Sequence, residues 1–233
     1  MIKLLVLTLF PLILFSSFVE DEYTFEDGEA IYMRTCISCH GVNGETNDAM
    51  QLVVKPRKLQ KTILTQAQSF KIIKKGAHFW GARADMMPSF GYVLNDEEIN
   101  AVAFYISKKF NPDREAKIKK LLYESKTKEI SEEKALKVGA KIFKRNCSLC
   151  HGETGNGESP YVEQSKANKQ FIYPYNLTRT LLSEDQIFLY AKHGGHFWGT
   201  DKTDMPSWKK KYSDEELKSV AKYIHQKIKQ IKD

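Results

Sequence analysis

The chain has 233 residues, of which 42% are hydrophobic and 28% are charged, which is the composition of an ordinary globular protein. Its formal net charge of +7 is uneven, because residues 20–111 sum to −1 and residues 112–233 sum to +7. The lysine excess is either solvated surface or a field that attracts an acidic partner to the second half. No aromatic-basic binding motif accompanies it, so nucleic acid is not expected as a partner.

Residues 1–19 predict a secretory signal peptide. Lys3 supplies a positive start, and the apolar run from Leu4 to Phe15 has 12 residues, too few to span a bilayer comfortably. No pair of small residues marks a cleavage site, and Phe18 and Val19 lengthen the apolar stretch to 16 residues, so an uncleaved anchor is the alternative. In either case the rest of the chain is expected in the periplasm, soluble or attached to the outer face of the inner membrane.

Two copies of a C-x-x-C-H motif follow, at residues 36–40 and 147–151. This spacing is typical of c-type haem attachment, because two cysteines three residues apart lie on one face of a helical turn and reach the two vinyl groups of one porphyrin. The adjacent histidine can then offer a neutral imidazole nitrogen to the iron. We therefore predict two covalently attached haem c groups, with Cys36, Cys39, Cys147 and Cys150 forming the thioethers and His40 and His151 ligating iron.

Two other interpretations of the cysteines are open. A redox disulfide of the thioredoxin type is disfavoured, since no strand-helix-strand pattern surrounds either motif. Four cysteines can also hold zinc in a tetrahedral cage. Zinc, however, requires neither a histidine directly after each pair nor the methionine that recurs downstream.

The motifs belong to an internal repeat that covers most of the chain. The offset between the copies is 111 residues at the motifs and 118 further on, because the second copy has seven extra residues. Apolar periodicity and N-cap residues predict three helices in each copy. These helices are expected over residues 28–35 and 139–146, over residues 65–74 and 183–191, and after the caps Asn95 and Ser213.

The repeat predicts two all-α domains, over residues 20–111 and 138–233. Each is near the small end for a self-sufficient core, which a haem would complete. Residues 112–137 are rich in lysine and glutamate and are interpreted as a charged linker, since Pro112 ends the preceding helix. A short exposed helix is expected between Asp113 and Lys128, packed loosely on the rest of the protein.

A methionine followed by proline recurs late in each domain, at Met87 and Met205. A thioether is a soft ligand that favours ferrous iron, so these residues are the candidate second axial ligands. Met86 is not chosen, because Asp204 occupies its place in the second copy. The competing interpretation is that the methionines only fill the core.

Histidines offer a rival second ligand. His78 and His196 recur in both copies and would give bis-histidine haems, or else they hydrogen-bond within a loop. His193 and His225 have no counterpart in the other copy and are expected at the surface.

The longest near-identity between the copies is G-x-H-F-W-G, at residues 76–81 and 194–199. Its tryptophans, Trp80 and Trp198, either pack in the core or donate their indole N–H to a haem propionate. No role for the rest of the segment follows from the sequence.

Prolines precede each of these segments, at Pro56 and Pro174. Each is expected to place a backbone carbonyl that accepts the N–H of the neighbouring proximal histidine and so fixes its ring. Arg57 could pair with a propionate, although the second copy has Tyr175 at that position.

With these motifs the chain resembles class I c-type cytochromes, and in layout the two-domain dihaem cytochromes c of bacterial respiratory chains. The resemblance implies that the first and last helices of each domain cross over the haem, so that Gly28 meets the helix bearing Tyr105 and Gly139 the helix bearing Tyr223. It also implies an electron carrier and not a catalyst. The long linker and the G-x-H-F-W-G segments depart from the general pattern.

The expected function is that of a periplasmic carrier of single electrons through two His/Met-ligated haems. Its donor would be a dehydrogenase or a quinol-oxidising complex, and its acceptor a terminal oxidase or reductase. One alternative is a fixed cytochrome subunit of a multi-component oxidoreductase. Another is a dihaem enzyme such as a peroxidase or a sulfur-compound oxidase, which needs an open iron position.

Overall fold

The computed structural model describes residues 23–45, 55–82, 87–125, 127–128, 130–168, 174–200 and 205–231. Every regular element in these residues is helical, which confirms the all-α class. The predicted signal peptide lies outside them. No helix in the described part of the chain has the length and apolar character needed to cross a bilayer.

Ten α-helices run along the described chain, four in the first domain, one between the domains and five in the second. Short 3₁₀ turns at residues 59–61, 78–80, 177–179 and 196–198 connect them. The helices are α1 (Phe25–Thr35), α2 (Ile37–His40), α3 (Gln66–Lys75), α4 (Asp96–Phe110), α5 (Arg114–Tyr123), α6 (Glu132–Ile142), α7 (Ser148–His151), α8 (Pro160–Ala167), α9 (Glu184–His193) and α10 (Asp214–Tyr223).

The last helix of each domain begins at the predicted cap. The Asn95 side chain accepts from the Glu98 N–H at 2.8 Å, and the Glu98 carboxylate accepts from the Asn95 N–H at 3.0 Å. Ser213 and Glu216 form the same reciprocal pair at 3.3 and 2.9 Å. These bonds satisfy N–H groups that the first helical turn leaves unpaired.

The first and last helices of each domain cross at a glycine, as the resemblance implied. A Cβ on Gly28 would meet the Ala101 carbonyl oxygen and lie 2.8 Å from Cβ of Tyr105. A Cβ on Gly139 would meet the Ser219 oxygen in the same way and lie 2.8 Å from Cβ of Tyr223. Only glycine permits this close approach.

The segment between the domains is packed, which contradicts the prediction of a loose linker. Its helix α5 places Ile118, Leu121 and Leu122 against the hydrophobic core of the second domain. The buried Arg114 donates from its guanidinium to the Leu64 carbonyl of the first domain at 2.7 Å. The linker therefore contacts the first domain through a buried arginine and the second through half-buried apolar side chains.

The two domains also contact each other directly. Ile63 of the first domain is fully buried in the core cluster of the second. Gln68 and Gln186, which are equivalent in the repeat, hydrogen-bond to each other at 2.8 Å, and the Gln186 amide donates to the Ile63 carbonyl at 2.9 Å. The interface is thus approximately two-fold, with equivalent residues opposite each other.

Candidate haem sites

The cysteines of each motif lie on a single helical turn. Helix α2 follows Cys36 directly, and α7 follows Cys147. Burial, with the second thiol of each motif adding to it, raises the pKa of Cys36 and of Cys147 to about 12. Both are therefore neutral thiols, unlike the low-pKa thiol of a thioredoxin-type redox site.

The geometry also disfavours the disulfide and zinc interpretations. All four cysteines lie among the described residues, and none of them forms a disulfide. In the same residues, no three histidine, cysteine, aspartate or glutamate side chains converge on a point that could hold a metal ion. The sulfur cage that zinc requires is not formed.

The histidine of the second motif is held in the tautomer that suits iron ligation. Nδ1 of His151 lies 2.9 Å from the backbone oxygen of Tyr175. A carbonyl oxygen can only accept, so Nδ1 carries the hydrogen and Nε2 keeps its lone pair. Burial lowers the pKa of His151 and the bond to Tyr175 opposes this, so the buried ring is neutral.

The first motif repeats this arrangement less tightly. Burial lowers the pKa of His40 to about 4, and the Arg57 backbone opposes this as a hydrogen-bond acceptor. Nδ1 of His40 is nevertheless buried without a hydrogen-bond partner of normal geometry among the described residues. We infer that the Arg57 contact is weak, whereas the Tyr175 contact is well formed.

The carbonyl that Pro174 is predicted to place against His151 belongs to the next residue, Tyr175. In the first domain the equivalent contact, between His40 and the backbone of Arg57, is the weak one described above. Proline fixes its own φ near −65° and thereby sets the direction of the next peptide, but sequence spacing alone does not show which carbonyl faces the ring.

The two methionines lie on equivalent loops. The Met87 carbonyl accepts from the Ala77 N–H at 2.9 Å, and the Met205 carbonyl accepts from the Gly195 N–H at 3.1 Å. The half-buried Met87 side chain packs against the core of the first domain. Met86 and Asp204, which occupy equivalent positions in the two copies, lie outside the described residues.

Glycines allow these loops to approach the preceding segment. Gly76 and Gly194 both have a φ of 77°, where other residues are strained. A Cβ on either would lie 2.8 Å from the backbone nitrogen of the serine after the Met-Pro pair. The first glycine of G-x-H-F-W-G is therefore required by the methionine loop.

The histidines and tryptophans of the two G-x-H-F-W-G segments make contacts within their own domains. His78 and His196 are exposed, and their Nδ1 atoms lie 3.1 Å from the backbone oxygens of Ala82 and Thr200 in the same loop. Trp80 and Trp198 are buried, and their indole N–H groups donate to helix carbonyls at 3.0 and 3.2 Å. The structure thus favours loop bonding for the histidines and core packing for the tryptophans.

A tyrosine that the sequence analysis did not assign to the site supports the first motif. Tyr32 is fully buried, and its hydroxyl donates to the Gly41 carbonyl at 2.7 Å, directly after His40. Together with the neutral thiols, the buried neutral imidazoles and the glycine-supported methionine loops, this arrangement fits a covalently attached haem in each domain.

Comparison with known proteins gives the same assignment. The family model described as "Cytochrome C oxidase, cbb3-type, subunit III" matches residues 24–106 and 134–224, once in each repeat. The Cbb3-type cytochrome c oxidase subunit CcoP of Cereibacter sphaeroides is 26% identical over 212 residues, which are 88% of this chain and 61% of that protein. Cytochrome c6 of Parathermosynechococcus lividus is 29% identical over 86 residues, which are 37% of this chain and 83% of that protein.

The comparison with solved structures also gives a chain of low similarity. It is a chain of the Kuenenia stuttgartiensis reducing HAO-like protein complex, with a TM-score of 0.46 and 20% identity, covering 88% of this chain and 96% of that one. The present chain spans about three fifths of the length of the curated CcoP relative that it matches.

The fold and the two sites define a class I dihaem c-type cytochrome with tandem domains and covalently attached haem. The chain belongs to the family of cbb3-type cytochrome c oxidase subunit III. The resemblance stated from the motifs is confirmed.

Proposed function

We propose that this protein transfers single electrons between respiratory redox partners in the periplasm, through two six-coordinate haems. Cys36, Cys39 and His40 would hold the first haem, with Met87 as its second axial ligand. Cys147, Cys150, His151 and Met205 would hold the second. The observation that carries the proposal is the His151 Nδ1–H bond to the Tyr175 carbonyl, which leaves Nε2 for iron.

The haem supplies one-electron chemistry when bound, since its iron cycles between ferric and ferrous forms. His40 and Met87 would hold the first iron, and His151 and Met205 would hold the second. Burial keeps the histidine rings neutral, and the bonds from Ala77 and Gly195 hold the loops that bear Met87 and Met205. Because both ligands would remain in both oxidation states, little rearrangement accompanies each transfer, which suits a carrier better than an enzyme.

Optical spectroscopy of the purified haem protein tests the axial ligands. Ferric haem with a methionine sulfur on iron has a weak red absorption band, and we expect Met87→Ala and Met205→Ala each to remove about half of it. Met33→Ala is the matched control, since Met33 is a 42% exposed methionine on α1 and should leave the band intact. A wild-type protein with high-spin iron and no such band would contradict the proposal.

A second function, a fixed subunit of a larger oxidoreductase, is favoured by the family itself. The family description and the CcoP and FixP relatives are those of a cytochrome c oxidase subunit. Extraction of native cells distinguishes the two functions. A mobile carrier is recovered alone in the periplasmic fraction, whereas a fixed subunit remains with the membrane and co-purifies in constant ratio with its partners.

A further inference from the structure

Two segments of each domain meet across the interface, and each has a role in its own haem site. We call residues 55–58 and 174–177 the carbonyl segments, because Tyr175 supplies the carbonyl bonded to His151 and Arg57 occupies the equivalent position in the first domain. We call residues 76–81 and 194–199 the aromatic segments, which hold the methionine loops through Ala77 and Gly195.

The interface pairs the carbonyl segment of one domain with the aromatic segment of the other. The Asn176 N–H donates to the Gly81 carbonyl at 2.9 Å, and the Lys58 N–H donates to the Gly199 carbonyl at 2.9 Å. Both pairs are related by the repeat offset of 118 residues, so the exchange is reciprocal. Backbone bonds therefore run between the histidine side of each site and the methionine side of the other.

The last glycine of each aromatic segment is required by this contact. Gly81 and Gly199 have φ values of 92° and 93°, in the left-handed region. A Cβ on Gly81 would collide with the Asn176 carbonyl oxygen, and one on Gly199 would lie 2.8 Å from the Lys58 carbonyl oxygen. A side chain at either position would push the carbonyl segment of the other domain away.

A side-chain contact follows the same crossed path. The guanidinium carbon of Arg57 lies 5.0 Å from the centre of the Tyr175 ring, and 5.3 Å from that of Tyr190, whose hydroxyl accepts from the guanidinium. Arg57 and Tyr175 occupy equivalent positions in the repeat. The two copies of this position therefore contact each other near the approximate two-fold axis. A cation over an aromatic ring is attractive, whereas two arginines there would repel.

We propose that Gly81 is a positioning residue for the His151 site, and that Gly199 is a positioning residue for the His40 site, so that each domain sets the histidine side of the other's haem. The proposal rests on the axial roles given above to His40, His151, Met87 and Met205. The effect from Gly81 is the stronger one, because Asn176 adjoins Tyr175, whose bond to His151 is well formed.

The test is a crossed effect of Gly81→Ala in the full-length haem protein. Gly91→Ala is the matched control, since its Cβ would lie 2.7 Å from the Lys74 carbonyl and strain only the first domain. Haem-methyl NMR signals, followed through a redox titration, report the two haems separately. We expect Gly81→Ala to change the electron-sharing equilibrium between the haems at least about threefold, on the order of 28 mV at 59 mV per tenfold, with the larger shift in the second domain.

Gly91→Ala should shift only the signals of the first domain. The proposal is overturned if Gly81→Ala shifts the first domain alone, or neither domain. Should that variant fail to fold, Arg57→Met tests the side-chain path. Loss of its positive charge is expected to lower the reduction potential of the second haem more than Arg57→Lys does, because a nearby cation favours ferrous iron. Equal effects of the two variants would refute the proposal. If the wild-type protein has the methionine band but Gly81→Ala produces no crossed shift, this inference fails while the proposed function stands.

Discussion

At the scale of single residues, His193 shows how burial decides the state of a histidine. The sequence predicts it at the surface, but its ring is half-buried at the end of α9 and stacks on Phe197 with centroids 4.6 Å apart. Its Nε2 is buried with no hydrogen-bond partner among the described residues. Burial lowers the pKa of His193; Lys192, Lys209 and Lys117 lower it further, and Asp214 opposes them.

A pH dependence of stability follows from this depressed pKa. The folded protein holds the ring neutral, while the unfolded chain takes up a proton near the ordinary pKa of about 6.5. The contribution of the neutral His193 ring to folding stability is therefore complete above about pH 6.5. It is lost as the pH falls through the lower pKa of the folded state. We expect the free energy of unfolding to fall less between about pH 7.5 and 5 in His193→Phe than in the wild type.

Urea unfolding of both proteins across that pH range measures the difference. Phenylalanine keeps the stacking on Phe197 and removes the titrating group. His225→Phe serves as the control for loss of a histidine elsewhere. Parallel stability curves for His193→Phe and the wild type would show that the ring does not act in this way.

At the scale of helices, each domain is stabilised by one crossing of its first and last helices. Gly28 of α1 lies against Ala101 and Tyr105 of α4, and Gly139 of α6 lies against Ser219 and Tyr223 of α10. The tyrosines pack beside these glycines, and Tyr105 also donates to Glu29 at 3.0 Å. The approach of two backbones, and not side-chain interdigitation alone, sets the distance between the helices.

We expect Gly28→Ala to destabilise the protein by about 1–3 kcal/mol, because the added methyl overpacks the crossing. Helix propensity alone predicts the opposite, a gain of about 1 kcal/mol, so the sign of the change separates the two effects. Thermal unfolding followed by circular dichroism measures it. Ala30→Gly on the exposed face of α1 is the propensity control, and a more stable Gly28→Ala protein would disprove the close crossing.

Helix α8 is an element that the sequence analysis missed. It forms in the region of the seven extra residues of the second copy, begins at the Ser159 cap and has Pro160 in its first turn. Ser before Pro is a helix-start signal that was present in the sequence. Only eight residues follow it, however, and such short helices depend on packing, here through the buried Val162 and Ser165.

At the scale of the whole molecule, the segment between the domains joins them. Arg114 contacts the first domain, while Ile118, Leu121 and Leu122 of α5 pack on the second. Lys117 lies over the rings of Phe197 and Trp198, at 4.6 and 5.2 Å. These contacts tie α5 to the aromatic segment of the second domain.

We expect Ile118→Ser to lower the free energy of unfolding by about 1–3 kcal/mol, because it exposes a polar group to the core of the second domain. Lys119→Ser on the exposed side of the same helix is the matched control and should change stability by less than about 0.5 kcal/mol. Chemical unfolding of the two variants measures both values. Equal, small effects would restore the interpretation of a loosely packed linker.

The sequence by itself determined the chemistry and the repeated plan of this protein. Two C-x-x-C-H motifs, the capped final helices and the helical periodicities are local patterns, and local patterns follow from residue type and spacing. The role of Gly28 and Gly139 came from family resemblance, and the helix contacts agree with it.

Only the tertiary structure decided how the copies meet. Which carbonyl faces each histidine, why G-x-H-F-W-G ends in glycine, and where α5 packs all depend on contacts between residues far apart in the chain. Gly81 with Asn176 and Gly199 with Lys58 are such contacts. These contacts form where two backbones approach each other closely. Such an approach requires a glycine in the sequence, but spacing alone does not identify the residue that the glycine contacts.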